Sequence, residues 1–401
     1  MRPSRITDQN ALDIYIGNRK TATLVRDPDR FEYALSYAKG AKTPLSLTMP
    51  LFDGTDIYMI LPPVLQTSLP EGELLAAIYQ KVGKVLKISD DFDILKLVGG
   101  NMIGRIVCVP PGVPPRNPGP FIEHDRLMAL LRSPESRTLL TQSMVEFAEK
   151  TGISGVLPKV FGLSNFRITL PSGRFIVKSE SREFPGICAV EHLCMAACTN
   201  AGLKTPGTIL SEDGQTLLIE RFDIGNDGQA IGFEDFCSLG GLDRRAKYDK
   251  SYEFAMELAS LFLGEDDRRD LFKAYALMHF LRNGEAHLKN FGVLYTSESD
   301  VRLAPVYDVV TTTAFLPNDS PALPYRGERR WLQTEELVEF ALNQCQIPEK
   351  LARTLILECL DGIEKTIPLI ERLSKRHRFP VLPKTLRVFR NALGESSALT
   401  R

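Results

Sequence analysis

Over 12–16 the apolar residues Leu12, Ile14 and Ile16 recur at the two-residue period of a strand with one buried face, and the short apolar run 57–61 also reads as a strand. Over 72–83 the apolar positions Leu74, Leu75, Ile78 and Val82 recur instead at helical spacing, and a second helix is predicted over 126–150. The pattern then shortens to strands over 159–163, 166–170 and 174–178, the last two joined by Pro171-Ser172-Gly173, residues suited to a hairpin turn. A helical stretch over 189–201 stops at Gly202 with Pro206 beyond, and a strand follows over 215–222. Downstream the pattern is helical, clearest over 252–263 and 270–282, and a single strand pair over 291–295 and 302–306 interrupts it.

Between the first strands and the helix at 126 lie Pro110, Pro111, Pro114, Pro115, Pro118 and Pro120. Proline removes backbone donors and biases its neighbours to extended forms, so this cluster reads as a linker. The expected organisation is α+β in three parts. A small α+β domain covers 1–112, a linker helix and a β-rich lobe cover 113–225, and a helical lobe covers 226–401.

At 401 residues the chain is long for one core, and roughly two to three domains fit it. A hydrophobic content of 43% with 25% charged residues is a globular balance. The formal net charge of -1 gives no global field to attract nucleic acid, so any DNA contact is expected to be local or made through a partner. Seven cysteines, an odd number, with no apolar leader near Met1, point to reduced thiols and a cytoplasmic protein. No apolar run is long enough to cross a bilayer, so no membrane partner is expected.

The chemistry concentrates in Gly284-Glu285-Ala286-His287-Leu288-Lys289-Asn290-Phe291, followed by the strand pair and Tyr307-Asp308. Phosphoryl transfer asks a protein mainly to place charge: a carboxylate to orient the attacking hydroxyl, an amide and a second carboxylate to hold magnesium, a lysine on the phosphates. Glu285 and Asn290 stand five residues apart, the spacing of a kinase catalytic loop, and Asp308 follows the hairpin, where the second carboxylate belongs. Upstream, Lys178 closes a strand and Glu191 sits thirteen residues later at the start of a helix, an arrangement that could form the kinase lysine–glutamate pair. Glu220-Arg221-Phe222-Asp223 leaves the last strand of the β-rich lobe, where a hinge would meet adenine. The segment 154–159, with Ser154, Gly155 and Lys159, lies between a helix and a strand, where its backbone could approach phosphates.

These segments, in this order and spacing, resemble the HipA-type serine/threonine kinase toxins of bacterial toxin–antitoxin pairs. The resemblance runs over nearly the whole chain, taking in Leu69-Pro70-Glu71-Gly72 and 92–109 before the prolines. It implies a protein-kinase-like two-lobed fold, a β-rich ATP lobe and an all-α C-terminal lobe, that uses ATP and Mg2+. Lys178 would hold ATP phosphates, paired with Glu191. Glu220 and Phe222 would contact adenine, and Ser154, Gly155, Lys159, His287, Lys289 and Tyr307 would line the nucleotide. Asn290 and Asp308 would bind magnesium, and Glu285 would stand at the catalytic base.

The implied partners are a protein substrate, a translation component such as an aminoacyl-tRNA synthetase, and a DNA-binding antitoxin, with DNA reached only through the antitoxin complex. The chain departs from the family pattern twice. Glu285 replaces the usual aspartate, and one added methylene moves the carboxylate by about an ångström, which can cost on the order of a hundredfold in rate. Gly152 stands where a loop serine is often autophosphorylated, leaving Ser154 and Thr151 as candidates.

Several features have plainer readings. A histidine in such a loop usually packs to hold it, so His287 is expected to be structural. Cys188, His192, Cys194 and Cys198 have i,i+4 spacing but read as buried groups on a helix face rather than zinc ligands. The glycine-rich stretch 99–105 ends in Arg105-Ile106 where a phosphate loop needs lysine and a hydroxyl, and reads as a tight turn. The basic cluster 244–247 reads as a solvated face. Two other functions compete: a pseudokinase acting by binding a partner, and a small-molecule kinase, against which the N-terminal domain stands.

Overall fold

The computed structural model describes residues 10–72, 75, 79, 88–115, 122–150 and 168–395. The phosphate-loop candidates Thr151, Ser154, Gly155 and Lys159, the strand at 159–163 and most of the helix at 72–83 lie outside the described residues. Strands β1 (Ala11–Ile16), β2 (Arg19–Asp27), β3 (Glu32–Tyr37), β4 (Asp56–Tyr58) and β5 (Ile106–Val109) form an antiparallel sheet in the order β4-β3-β2-β1-β5. Its inward residues Leu12, Ile14, Ala22, Leu24 and Leu35 are almost wholly buried, as the alternation requires. A short helix α1 (Pro63–Gln66) and helix α2 (Asp91–Val98) cover it. Asp90 caps α2, its carboxylate accepting from Phe92 N and Asp93 N.

The helix expected over 126–150 is two helices, α3 (His124–Leu131) and α4 (Ser136–Lys150). Pro134 explains the break, because proline disfavours helical backbone in the residue before it. Asp213 then takes up the start of α4, accepting from Ser136 N at 2.7 Å. A second antiparallel sheet, in the order β6-β7-β9-β8, contains β6 (Ile168–Ser172), β7 (Phe175–Ser179), β8 (Thr208–Leu210) and β9 (Thr216–Glu220). Its hairpin turns at Gly173-Arg174, one register later than expected: Ser172 pairs with Phe175, and Gly173 supplies the positive φ of 58°. Helix α5 (Ile187–Asn200) crosses behind this sheet and ends before Gly202, at φ 81°.

The C-terminal portion holds α6 (Phe236–Leu239), α7 (Tyr252–Phe262), α8 (Glu265–Phe280), α9 (Thr334–Cys345), α10 (Glu349–Arg376) and α11 (Val381–Leu393). The expected strand pair, β11 (Gly292–Ser297) and β12 (Asp300–Leu303), gains a third member, β10 (Gly232–Asp235), so this lobe is helical around a small sheet rather than all-α. A large core runs through α5, α7, α8, α9, α10 and α11 and takes in Leu217 and Ile219 of β9, while Val177 and Leu218 face the core of the N-terminal sheet. The middle sheet thus serves both. All seven cysteines are buried and free, and among the described residues no helix is long and apolar enough to cross a membrane.

Helices α5 and α10 meet closely at Gly362, where an added Cβ would fall 2.5 Å from the backbone nitrogen of Ala201. Alanine in an open helix would gain up to about 1 kcal/mol over glycine, but here it drives two backbones apart. Gly362→Ala is expected to lower stability by about 1–3 kcal/mol, read as a lower urea midpoint at unchanged slope.

The N-terminal part is joined to the rest by buried polar groups. Glu234 of β10, fully buried, accepts from Ser46 Oγ at 2.7 Å, Leu47 N at 2.9 Å, Tyr295 OH at 2.8 Å and Ser238 Oγ at 3.1 Å. Burial raises its carboxyl pKa despite these donors. Arg244 is buried too, with Nη2 2.7 Å from Asp91 Oδ1, and Lys247 Nζ lies 2.6 Å from Glu71 Oε2. The basic cluster 244–247 is therefore mainly a joint and not a solvated face; only Arg245, 77% exposed in its side chain, fits that expectation. The glycine-rich stretch 99–105 is the turn it was read to be. Gly99 packs against Cys108, and Gly104, at φ 89°, donates its N–H to Asp223 Oδ2 at 2.7 Å.

Candidate active site

Lys178 reaches the site because β7 is an inner strand, paired with β6 on one side and β9 on the other. Its ammonium lies 2.5 Å from Glu191 Oε1, on the second turn of α5, and 2.7 Å from Asp308 Oδ1. The Lys178 and Glu191 side chains are 7% and 0% exposed, whereas Asp308 is 40% exposed. A buried lysine flanked by a buried and an open carboxylate is a fixed cation at the edge of a cleft. Asp308 is held at φ 57°, a left-handed backbone that asparagine and aspartate tolerate better than most side chains.

Asn290 comes from the catalytic-loop segment, in a single 3-10 turn (Leu288–Asn290). Its Nδ2 donates to the Asp308 carbonyl at 3.3 Å and to Oδ2 at 3.4 Å. Its Oδ1 is buried and has no hydrogen-bond partner among the described residues. An orphaned amide oxygen beside a half-open carboxylate is a hard oxygen pair of the kind magnesium takes, so the residues fit that ion.

Glu285 opens the loop with its side chain 59% exposed. Its Oε2 accepts from Tyr248 OH at 2.7 Å, and His287 Nε2 stands 3.8 Å away. Partial desolvation raises the Glu285 carboxyl pKa, with the Tyr248 hydrogen bond acting against it. Burial pushes His287 down to about 3, so it is neutral at physiological pH, and its ring packs edge-on against Tyr248 at 5.0 Å. That is the packing role expected of it. Lys289, expected along the nucleotide, has its ammonium 2.7 Å from Asp235 Oδ2, 3.1 Å from the Thr67 carbonyl and 3.5 Å from Glu71 Oε1. It ties the loop to the N-terminal part instead. Burial would lower its pKa, but Asp235 and Glu71 outweigh burial and raise it.

Tyr307 donates its hydroxyl to the Lys289 carbonyl at 2.7 Å, and its ring packs tilted against Phe222 and edge-on against Phe233, at centroid distances of 5.4 and 6.0 Å. Phe222 is thereby half-buried in an aromatic cluster below the exit of β9, and Glu220, the last residue of that strand, is exposed over Gly207. Asp223 is bolted down by Arg221 and Gly104. The structure brings Lys178, Glu191, Asn290 and Asp308 into one cluster, with Glu285, His287 and Tyr307 around the same loop. Sequence reasoning missed Tyr248, Asp235 and Glu71. Asp235 carries a signal, since it caps α6 by accepting from Ser238 N, but nothing local marks Tyr248.

A β-rich lobe with an inner-strand lysine, a helix glutamate and a loop amide beside a carboxylate defines a protein-kinase-like fold. The chain belongs to the HipA family: the model of the HipA-like C-terminal domain matches residues 151–367 and that of the HipA N-terminal domain matches 12–109. Two Sinorhizobium fredii proteins are similar. "Putative kinase Y4dM" is 24% identical over 376 residues, covering 85% of this chain and 87% of its own. "Putative kinase Y4mE" is 26% identical over 285 residues, covering 65% and 66%. Among solved structures, HipA of Shewanella oneidensis MR-1, in a complex of HipA, HipB and operator DNA, matches with a TM-score of 0.69 at 18% identity, over 96% of this chain and 97% of that one.

Proposed function

We propose that this protein transfers the γ-phosphoryl group of ATP to a serine or threonine hydroxyl of another protein, and that it is the toxin of a toxin–antitoxin pair. The observation that carries the reading is the Lys178 ammonium between Glu191 and Asp308, with the unpartnered Asn290 Oδ1 alongside. In this reading Lys178 neutralises phosphate oxygens, and Glu191 fixes the lysine so that its geometry does not drift. Asn290 and Asp308 hold magnesium, which when bound neutralises phosphate charge. Glu285 takes the proton of the acceptor hydroxyl, for which its raised pKa suits it. Phe222 and the chain after Glu220 receive adenine. Support for an antitoxin partner comes from the Shewanella HipA, whose structure contains HipB and operator DNA.

A second reading, nucleotide binding without transfer, is favoured by one observation: the carboxylate at the base position is a glutamate. Purified protein incubated with labelled ATP, magnesium and a bacterial lysate separates the two. The expected result is a discrete labelled protein that disappears with Glu285→Gln. Bound ATP with label on no protein, in wild type and Glu285→Asp alike, sinks the transferase reading.

A further inference from the structure

Tyr248 is the residue at this site whose chemistry is still unused. It ends a 3-10 turn, Arg244–Tyr248, and its hydroxyl reaches Glu285 across a separation of 37 residues. The turn is rigidly held. Asp243 caps it by accepting from Arg245 N, and Arg244 spans both oxygens of the buried Asp91. The tyrosine itself is fixed on three sides: His287 meets the ring edge-on, Lys247 Nζ lies 5.1 Å from the ring centroid, and Arg329 Nη2 donates to the backbone carbonyl at 2.8 Å.

Glu285 has no such support of its own. Its backbone is placed by the bond from its N–H to Asn283 Oδ1 at 3.1 Å, but three side-chain torsions separate that backbone from the carboxylate. Among the described residues Tyr248 is the one hydrogen-bond donor to that carboxylate, since His287 at 3.8 Å is out of range. A glutamate left to its own torsions samples many positions for its oxygens. A phenol on a pinned ring restricts it to few.

We propose that Tyr248 is the positioning residue for Glu285: it holds Oε2 and leaves Oε1 to accept the proton of the attacking hydroxyl. The inference rests on the phosphotransfer reading. As the acceptor oxygen bonds to the γ-phosphorus, its proton passes to Oε1 and the bond to the leaving ADP oxygen breaks, with ADP keeping the electron pair. Tyr248 keeps its own proton throughout and takes no part in the bond changes. Burial and the neighbouring Glu285 both raise its pKa, which suits a permanent donor. Fixing one oxygen of a longer carboxylate is also a means by which a glutamate can do the work of a shorter acid.

The test uses the full chain with ATP and magnesium alone, water serving as acceptor, so that no protein substrate need be known. Tyr248→Phe is expected to lower kcat for ATP hydrolysis about tenfold with KM for ATP unchanged, because nucleotide contacts stay intact while the base is loosened. In a Glu285→Asp background the shorter acid falls short of the phenol, and Tyr248→Phe should then have no further effect. Unaltered kcat in Tyr248→Phe, or an equal loss in both backgrounds, overturns this inference alone. No hydrolysis by wild-type protein, together with label on no protein in a bacterial lysate, overturns both the phosphotransfer reading and this inference. Circular dichroism melts of each variant establish that the comparison is between folded proteins.

Discussion

Lys178→Met is expected to lower phosphoryl transfer by at least about a hundredfold and to destabilise the fold by about 3–5 kcal/mol. The two losses have separate origins. Transfer falls because the fixed ammonium beside Asp308 is gone. Stability falls because Glu191, with no exposed surface, loses the lysine 2.5 Å away. Replacing both partners by apolar residues of similar size is often neutral, so the double variant Lys178→Met with Glu191→Met should recover most of the stability and none of the transfer. Urea unfolding and labelled-ATP transfer, run on the same three proteins, check it. Recovered activity in the double variant would remove Lys178 from the mechanism.

The second large effect falls on transfer and leaves stability almost unchanged. Asp308→Gly is expected to reduce transfer on the order of a hundred- to thousandfold while leaving the unfolding free energy within about 1 kcal/mol of wild type. A glycine occupies φ 57° without the steric cost an L side chain pays there. Against that gain stands the loss of the 2.7 Å contact to Lys178, weakened by the 40% exposure of the aspartate. A folded protein that binds ATP without magnesium as wild type does, and gains nothing when magnesium is added, is the expected phenotype. Isothermal titration with and without the metal reads it. Full transfer activity in Asp308→Gly would exclude a metal-holding role for this carboxylate.

The parts of this architecture visible in the sequence are those set by local pattern. Strand alternation and helix spacing place Lys178 at the end of a strand and Glu191 near the start of α5, and the structure brings the two within 2.5 Å. The boundaries that differ have local causes that periodicity does not register. Helix α8 begins at Glu265, five residues before the apolar pattern does, because Glu265, Asp266 and Asp267 favour the positive end of the helix dipole without contributing apolar residues. Strand β10 was invisible for the reverse reason: its residues Glu234 and Asp235 are charged yet buried, and a pattern of apolar positions cannot register an acid whose hydrogen bonds come from residues 46 and 47. Tyr248 belongs to the same class, since its bond to Glu285 exists only once distant segments have met.

The joint between the N-terminal part and the rest bears on the order in which the chain becomes whole. Ser46 meets Glu234 across 188 residues, Asp91 meets Arg244 across 153, and the Thr67 carbonyl meets Lys289 across 222. During synthesis the earlier member of each pair leaves the ribosome long before its partner exists, and contacts of such separation are the slowest to close. The N-terminal sheet can bury its apolar face early, but Asp91 and the Leu47 amide must stay in water until Glu234 and Arg244, past the middle of the chain, arrive. The loop bearing Glu285 and Asn290 gains its anchor only when Lys289 follows, so a nascent chain acquires this part of its catalytic apparatus well after Lys178 and Glu191.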